Sequence, residues 1–402
     1  MCLSASRHWI QANPNLRDTT LEGTPARLTT SLRSCRAFPC FRPAGGLPIN
    51  HYQFPDSPTP AQSQSTVAFH PFHPHRSSVE MNYLIELSSI HAAAARIGGA
   101  IIRTATILSP GLSAKIQRPV YLKLENTQIG GSFKARGVLN KFASLEAELS
   151  SKRFVAVSGG NFGIAVAQAA SKLGADVTIV MPQSAPASSI EKIRTLGLPV
   201  IVTGNVNDAF AHAEHMAQQG YFVLDDCADT AIAEGHGTLA LEFIEDCPQL
   251  TDVFVAVGGG AMLAAVATAL KKRKPEIRIW GVETAGANSM DQALRLGRPV
   301  EIEVSSIIST LGVPAVSELM LRHAQAYVEE MVVVSDRDAV EGMVSFGEDG
   351  KQWVELASGA LVVAAVKIAP RLPPDATIGM IVCGGNISAQ DMQRWIASLQ
   401  TQ

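Results

Sequence analysis

Eighteen consecutive residues without a charge, "VFVAVGGGAMLAAVATAL" at 253–270, constrain this chain more than any other stretch. By length they make a marginal membrane span. Three consecutive glycines in the middle divide them into a short apolar run and a helical pattern. A buried strand feeding directly into a buried helix is the unit of parallel sheets covered on both faces. The same punctuation recurs along the chain. Strands are expected at "VYLKLE" (120–125), "FVAV" (154–157), "DVTIVM" (176–181), "PVIV" (199–202), "YFVL" (221–224), "IRIWGVE" (277–283), "MVVV" (331–334) and "TIGMIV" (377–382). Helices are expected at 132–145 with Ser132 as N-cap, from about Asn161 to Lys172 with Gly174 closing it, up to about Lys272, and after a cap at Ser335. The alternation predicts an α/β fold. There are more strand–helix units than one small sheet holds, so two lobes with a cleft between them are expected, and no solenoid repeat is present.

Composition narrows the function. Hydrophobic residues make up 47% of 402, enough for a sizeable core. A net charge of −3 with 17% charged residues gives no basic footprint for nucleic acid and no acidic tail. A small-molecule ligand is the expected partner, with neither nucleic acid nor membrane. The cysteines, at 2, 35, 40, 227, 247 and 383, fit neither zinc-site nor disulfide spacing and read as free thiols of a reducing, cytoplasmic compartment. Residues 1–80 differ from the rest: they hold 10 of the 22 prolines, half of the histidines, seven arginines and no lysine. Such a segment lacks the apolar surface to offset ordering. It reads as a transit-like extension or as sequence ahead of a true start at Met81. Prolines and clustered histidines suit an amphipathic presequence badly, which favours the second.

Three glycine loops, "SGGNFG" (158–163), "GGGAM" (258–262) and "CGGN" (383–386), each follow a strand and are expected to open a helix. Ligands of open α/β sheets bind beyond the carboxyl ends of strands, where glycines admit close backbone approach and helix N-termini offer N–H groups to anions. "GGGAM" is the best phosphate cradle, by its successive amides. It is neither a P-loop, since Ala261-Met262 supply no Lys-Ser/Thr, nor a GxGxxG fingerprint. Taken singly, such a loop is equally well explained by tight packing of helix on strand. Ser158 and Asn161 with their loop amides suit a carboxylate, or simply cap a helix. In "QIGGSFKARG" (128–137), Lys134 follows three small residues and has no neighbouring partner. A lysine at a helix start is ordinarily a solvated surface residue. A lysine desolvated among small residues is instead an amine nucleophile able to form a Schiff base. A phosphate site together with such an amine points to a phosphorylated aldehyde, and pyridoxal 5'-phosphate is that molecule.

The stretches "LENTQIGGSFKARG", "VSGGNFGIAVAQAASKLGADVTIVMP", "SAP" (184–186), "VAVGGGAMLAAV", "GVE" (281–283) and "VCGGN" occur in an order and spacing that resemble the fold-type II pyridoxal-phosphate family, in particular its threonine/serine dehydratases (ammonia-lyases) and serine racemases. The resemblance runs from Met81 to about residue 395. It implies a large cofactor-binding lobe at 81–151 and 230–402, and a small lobe at 152–229 closing over the substrate. It implies that Lys134 forms the Schiff base and moves the Cα proton, that Phe133 packs beside the cofactor, and that Asn161 meets the ring hydroxyl. Gly258, Gly259, Gly260, Ala261 and Met262 would bind the phosphate. Ser132, Ser158, Gly159, Gly160 and Asn161 would bind the substrate, the last four through its carboxylate. Cys383 stands where the family has a Ser or Thr meeting the pyridine nitrogen. A neutral partner there makes a weaker electron sink, which favours prompt loss of a β-hydroxyl. The implied reaction is β-elimination of threonine, serine or a related 3-hydroxy amino acid to a 2-oxo acid and ammonia, by a homodimer.

The chain departs from the family pattern at several points. Gly130 replaces a threonine, Ala261 the fourth glycine, and Phe162 a histidine, which leaves the particular substrate open. Gly159 lies where serine racemases carry a serine serving the opposite face of Cα, so dehydration is expected over racemisation. Glu283 is present but Ser289 replaces the aspartate of the racemase cation site, so no metal is expected. The chain ends about sixteen residues after "CGGN", so the regulatory domain of biosynthetic threonine dehydratases is not expected. Competing readings are serine racemase, a β-replacement enzyme of the cysteine synthase type, and a non-catalytic binding homologue. "SFKARG" and "SGGNFG" fit the dehydratase branch better than the second, and Lys134 speaks against the third.

Overall fold

The computed structural model describes residues 84–400; the extension at 1–80 and Met81 lie outside them. In chain order the elements are α1 (Leu87–Ile97), β1 (Thr106–Leu108), α2 (Pro110–Ile116), β2 (Val120–Lys123), α3 (Lys134–Ser144), β3 (Arg153–Val157), α4 (Asn161–Leu173), β4 (Asp176–Pro182), α5 (Ala187–Thr195), β5 (Val200–Thr203), α6 (Val206–Gln218) and β6 (Phe222–Leu224). There follow α7 (Thr230–Asp246), β7 (Asp252–Ala256), α8 (Ala261–Arg273), β8 (Arg278–Thr284), α9 (Ser289–Leu296), α10 (Glu318–Tyr327), β9 (Glu330–Val334), α11 (Asp336–Glu348), α12 (Leu356–Ile368), β10 (Ile378–Ile381) and α13 (Ala389–Ser398).

The strands form two sheets. The larger runs β1-β2-β10-β7-β8-β9, with β1 antiparallel to β2 and the rest parallel. The smaller runs β5-β4-β3-β6, all parallel. Every residue of β7 and β10 is buried, as central parallel strands covered on both faces require. The 253–270 stretch divides at its glycines into β7 and α8. Among the described residues no helix is long and apolar enough to cross a membrane. In α8 the run Ala261–Leu270 is buried, while Lys271, Lys272 and Arg273 complement the negative end of the helix dipole. Gly174 closes α4 in the left-handed region (φ 68°), and Ser335 opens α11 in a capping box with Asp338.

Two local expectations fail. Ser132 does not cap α3: it is extended (φ −162°, ψ 162°) and bridges to Gly384, and the Phe133 N–H donates to the Cys383 carbonyl at 3.0 Å. Long-range pairing with the loop after β10 replaces the side-chain cap. For the same reason "CGGN" opens no helix; α13 starts later, at Ala389, capped by Ser388. Helix α3 joins two cores. Phe133, before its first turn, packs in the core of the larger sheet, and Val138, Leu139 and Phe142 pack in that of the smaller. Lys134 therefore stands at the junction of the two cores.

Candidate active site

A cleft of about 970 Å³ opens at the carboxyl ends of the parallel strands. Its walls come from the start of α3, the loops after β3, β7 and β10, and residues 301–314. It is lined by Phe133, Lys134, Ser158, Gly159, Gly160, Asn161, Gly258, Gly259, Gly260, Ala261, Met262 and Cys383. Ser132, expected among the substrate contacts, does not line it; its bridge to Gly384 buries it behind the wall.

Two sets of backbone donors line the cleft without partners among the described residues. Among the described residues, the amides of Gly258, Gly259, Gly260, Ala261 and Met262 make no hydrogen bond to another protein group, as the first turn of α8 leaves its own N–H groups unpaired. Gly260 holds φ 89°, which turns the chain into the helix. A Cβ on Gly259 would lie 2.4 Å from Cys227 Sγ, so no side chain fits between loop and neighbour. This is a donor cradle for a phosphate dianion. At α4 the amides of Gly159, Asn161 and Phe162 are likewise free, and the Ser158 hydroxyl accepts from Gly160 N (3.2 Å) and Gly163 N (2.9 Å). Ser158 is thus a cap whose O–H remains available to a ligand.

Lys134 is not without a partner. Its Nζ pairs with Asp226 Oδ2, and it lies 4.8 Å from the Phe133 ring centroid and 6.0 Å from that of Phe162. Burial, the largest single influence, pushes the Asp226 carboxyl up, but Lys134 and the His236 ring together hold the group below the usual carboxylate range. Asn161 spans the cleft wall: its Nδ2 donates to both Glu355 oxygens (3.0 and 2.9 Å) and its Oδ1 accepts from Asn386 Nδ2 (2.7 Å). Asn386 N donates to Glu355 Oε1 (2.7 Å), and Lys192 Nζ to Asn386 Oδ1 (2.9 Å). Burial raises the Glu355 pKa. The Cys383 thiol, pushed up to about 12 chiefly by burial, lies 3.2 Å from Ser358 Oγ, so it is a neutral group. Glu283 is fully buried and accepts from Met290 N and Asp291 N at 2.9 Å each, which makes it the cap of α9.

Asp226, His236, Glu355, Ser358 and Asn386 escape sequence reasoning. The segment "LDDCADT" (224–230) shows acids at a helix start, and that signal is ambiguous because Asp229 does cap α7. Glu355 carries no motif, and Asn386, the last residue of "CGGN", has no role assigned to it by that loop.

Residues 97–384 match the model of the family described as "Pyridoxal-phosphate dependent enzyme". The L-threonine ammonia-lyase of Thermotoga maritima is 35% identical over 318 residues, covering 78% of this chain and 78% of that protein. Among solved structures, maize serine racemase superposes with a TM-score of 0.74 at 27% identity, covering 79% of this chain and 99% of that one. The processed form of threonine deaminase isoform 2 from Solanum lycopersicum superposes with a TM-score of 0.73 at 27% identity, covering 79% and 88%.

Proposed function

This chain belongs to the pyridoxal-phosphate dependent enzyme family, and from that premise we propose that it is an ammonia-lyase converting threonine, serine or a related 3-hydroxy amino acid to a 2-oxo acid and ammonia. The observation that carries the reading is the meeting of Lys134 with two sets of free amides, one at α8 and one at α4, in a single cleft. When bound, pyridoxal phosphate supplies an aldehyde for an amine and a ring that spreads the electron pair left at Cα. The amides from Gly258 to Met262 would hold its phosphate, and the neutral Cys383 thiol would serve as a partner to its ring. The free amides at Gly159, Asn161 and Phe162, with Ser158, take the substrate carboxylate. Lys134 Nζ takes the Cα proton, with the rings of Phe133 and Phe162 beside it. Asn161, tied to Glu355 and Asn386, brings the segment 152–229 against the larger lobe (81–151 and 230–402) as it closes.

Charge narrows the substrate. Asp226, Glu301, Glu303 and Glu355 line the cleft, and among the described residues that line it Lys134 is the one cation. A second carboxylate on the substrate meets like charge there, so side chains that are neutral, as in serine and threonine, suit it best. The free cysteines 227, 247 and 383 suit a reducing compartment, and a cytoplasmic homodimer is the form proposed. Sedimentation equilibrium tests the dimer.

The deciding experiment is a 2-oxo acid release screen across 3-hydroxy amino acids. Turnover by the wild type and its loss by at least about 10³-fold in Lys134→Ala is the expected result. Trapping of the product by added sulfide instead of ammonia release, or undiminished turnover by Lys134→Ala, overturns it.

A further inference from the structure

Two groups beside the cleft, one buried and one half-buried, have no part in that reaction as described. His236 of α7 is fully buried, and neither ring nitrogen has a hydrogen-bond partner among the described residues. Its ring stands edge-on to Phe133, with centroids 4.7 Å apart and planes at 70°. Gly137 of α3 makes the space: a Cβ there would lie 2.3 Å from His236 Cε1. So wedged, His236 holds Nε2 4.0 Å from Asp226 Oδ1, which is itself buried and unpartnered. The other carboxylate oxygen, Oδ2, holds Lys134 Nζ.

We propose that His236 and Asp226 are positioning residues for Lys134: the ring donates Nε2–H to Asp226 Oδ1, and the carboxylate so held takes an N–H of Lys134 whenever that amine is free. The proposal rests on Lys134 being the base at Cα. A freed lysine amine rotates about its last carbon–nitrogen bond, and its lone pair must face Cα to accept the proton. An N–H donated to a fixed carboxylate removes that rotation. Burial, against the opposing pull of the Asp226 and Glu125 carboxylates, holds His236 below its ordinary range, so the ring is neutral and carries one N–H. The charged Asp226 selects the Nε2–H tautomer over Nδ1–H. A normal N–H···O length is about 1 Å shorter than the present separation, and rotation of the Asp226 carboxylate closes it. The other groups facing this carboxylate are Asp225 and the Cys227 thiol, whose pKa values burial raises, so neither supplies Oδ1 with a cation.

The test has two arms on the full chain. The first needs no turnover: nitrogen-15 NMR of histidine-labelled protein, with His236→Gln identifying the signal, is expected to show the Nε2–H tautomer and a changed signal in Asp226→Ala. The second is kinetic. His236→Phe is expected to lower kcat for 2-oxo acid release about 10²-fold with KM within about threefold, and His236→Gln, which places an N–H near the same point, to recover most of it. An Nδ1–H tautomer indifferent to Asp226→Ala, or a His236→Phe enzyme with wild-type kcat, overturns the proposal. Should His236→Phe fail to fold, the NMR arm decides. If the wild type releases no 2-oxo acid at all, the proposed function fails while the tautomer still decides the His236–Asp226 pair.

Discussion

A Cβ on Gly159 would lie 3.6 Å from Ala185 Cβ and 3.9 Å from Pro182 Cγ, which is ordinary van der Waals contact, and its backbone is not in the left-handed region. A serine therefore fits where the racemases resembled by this chain carry one. Gly159→Ser is expected to change stability by no more than about 0.5 kcal/mol and to add a hydroxyl to the cleft wall. Chiral chromatography of a serine reaction should then show interconversion of enantiomers by the variant and none by the wild type. A racemising wild type, or an inert variant, would show that this hydroxyl does not separate the two activities. Residues of this kind are legible because glycine in a loop is conspicuous. Asp226 is not: of the acids around it, Asp225 accepts from Cys227 N (2.8 Å) and Ala228 N (3.1 Å), and Asp229 from Ala231 N (2.9 Å) and Ile232 N (3.2 Å). Two genuine turn and cap residues hide the one that faces the cleft.

Helix α3 carries Lys134, and a buried charge network centred two residues further on holds the helix in place. Arg136, fully buried, donates to both oxygens of Glu125 (2.8 Å each) and of Glu242 (2.7 and 2.9 Å). Lys123 Nζ closes the set on Glu242 Oε2 at 2.6 Å. The network ties β2, the turn after it, α3 and α7 into one unit. Removing the arginine leaves two buried carboxylates short of cations, so Arg136→Met is expected to destabilise by about 3–5 kcal/mol. Urea unfolding measures it, and a loss under about 1 kcal/mol would mean that the carboxylates neutralise themselves by taking up protons. The helix itself is readable from its periodicity, but its first residue is not. Ser132 has the composition of a cap, and a cap's hydrogen bond competes with sheet-like pairing to Gly384 that no local rule can foresee.

At the scale of the molecule, His236 couples folding to pH. Its ordinary value is 6.5, and burial, as the largest influence, lowers it in the folded state. Below 6.5 the unfolded chain takes a proton on this ring that the folded chain refuses, so the unfolded state binds more protons and stability rises with pH in that window. The contribution is present above the unfolded value and lost as pH falls, by at most about 1.4 kcal/mol per pH unit. Calorimetry should find the fall in Tm between about pH 7 and about pH 5 larger in the wild type than in His236→Gln. Equal falls would mean that the folded ring is protonated. The alternation of strand and helix, the three loops at strand ends and the place of Lys134 at a helix start were determined by sequence alone, because periodicity, glycine punctuation and helix-end donors are local properties. Which loops meet was decided by tertiary structure. Strand β10, last in the chain, inserts between β2 and β7, and this sets the Cys383 loop against Ser132 and beside the glycines after β7. The partners of Lys134 and Asn161 come from segments far away in sequence, Asp226 and Glu355 with Asn386. Such pairings are selected by the packing of whole sheets, a cooperative choice that no window of a dozen residues contains.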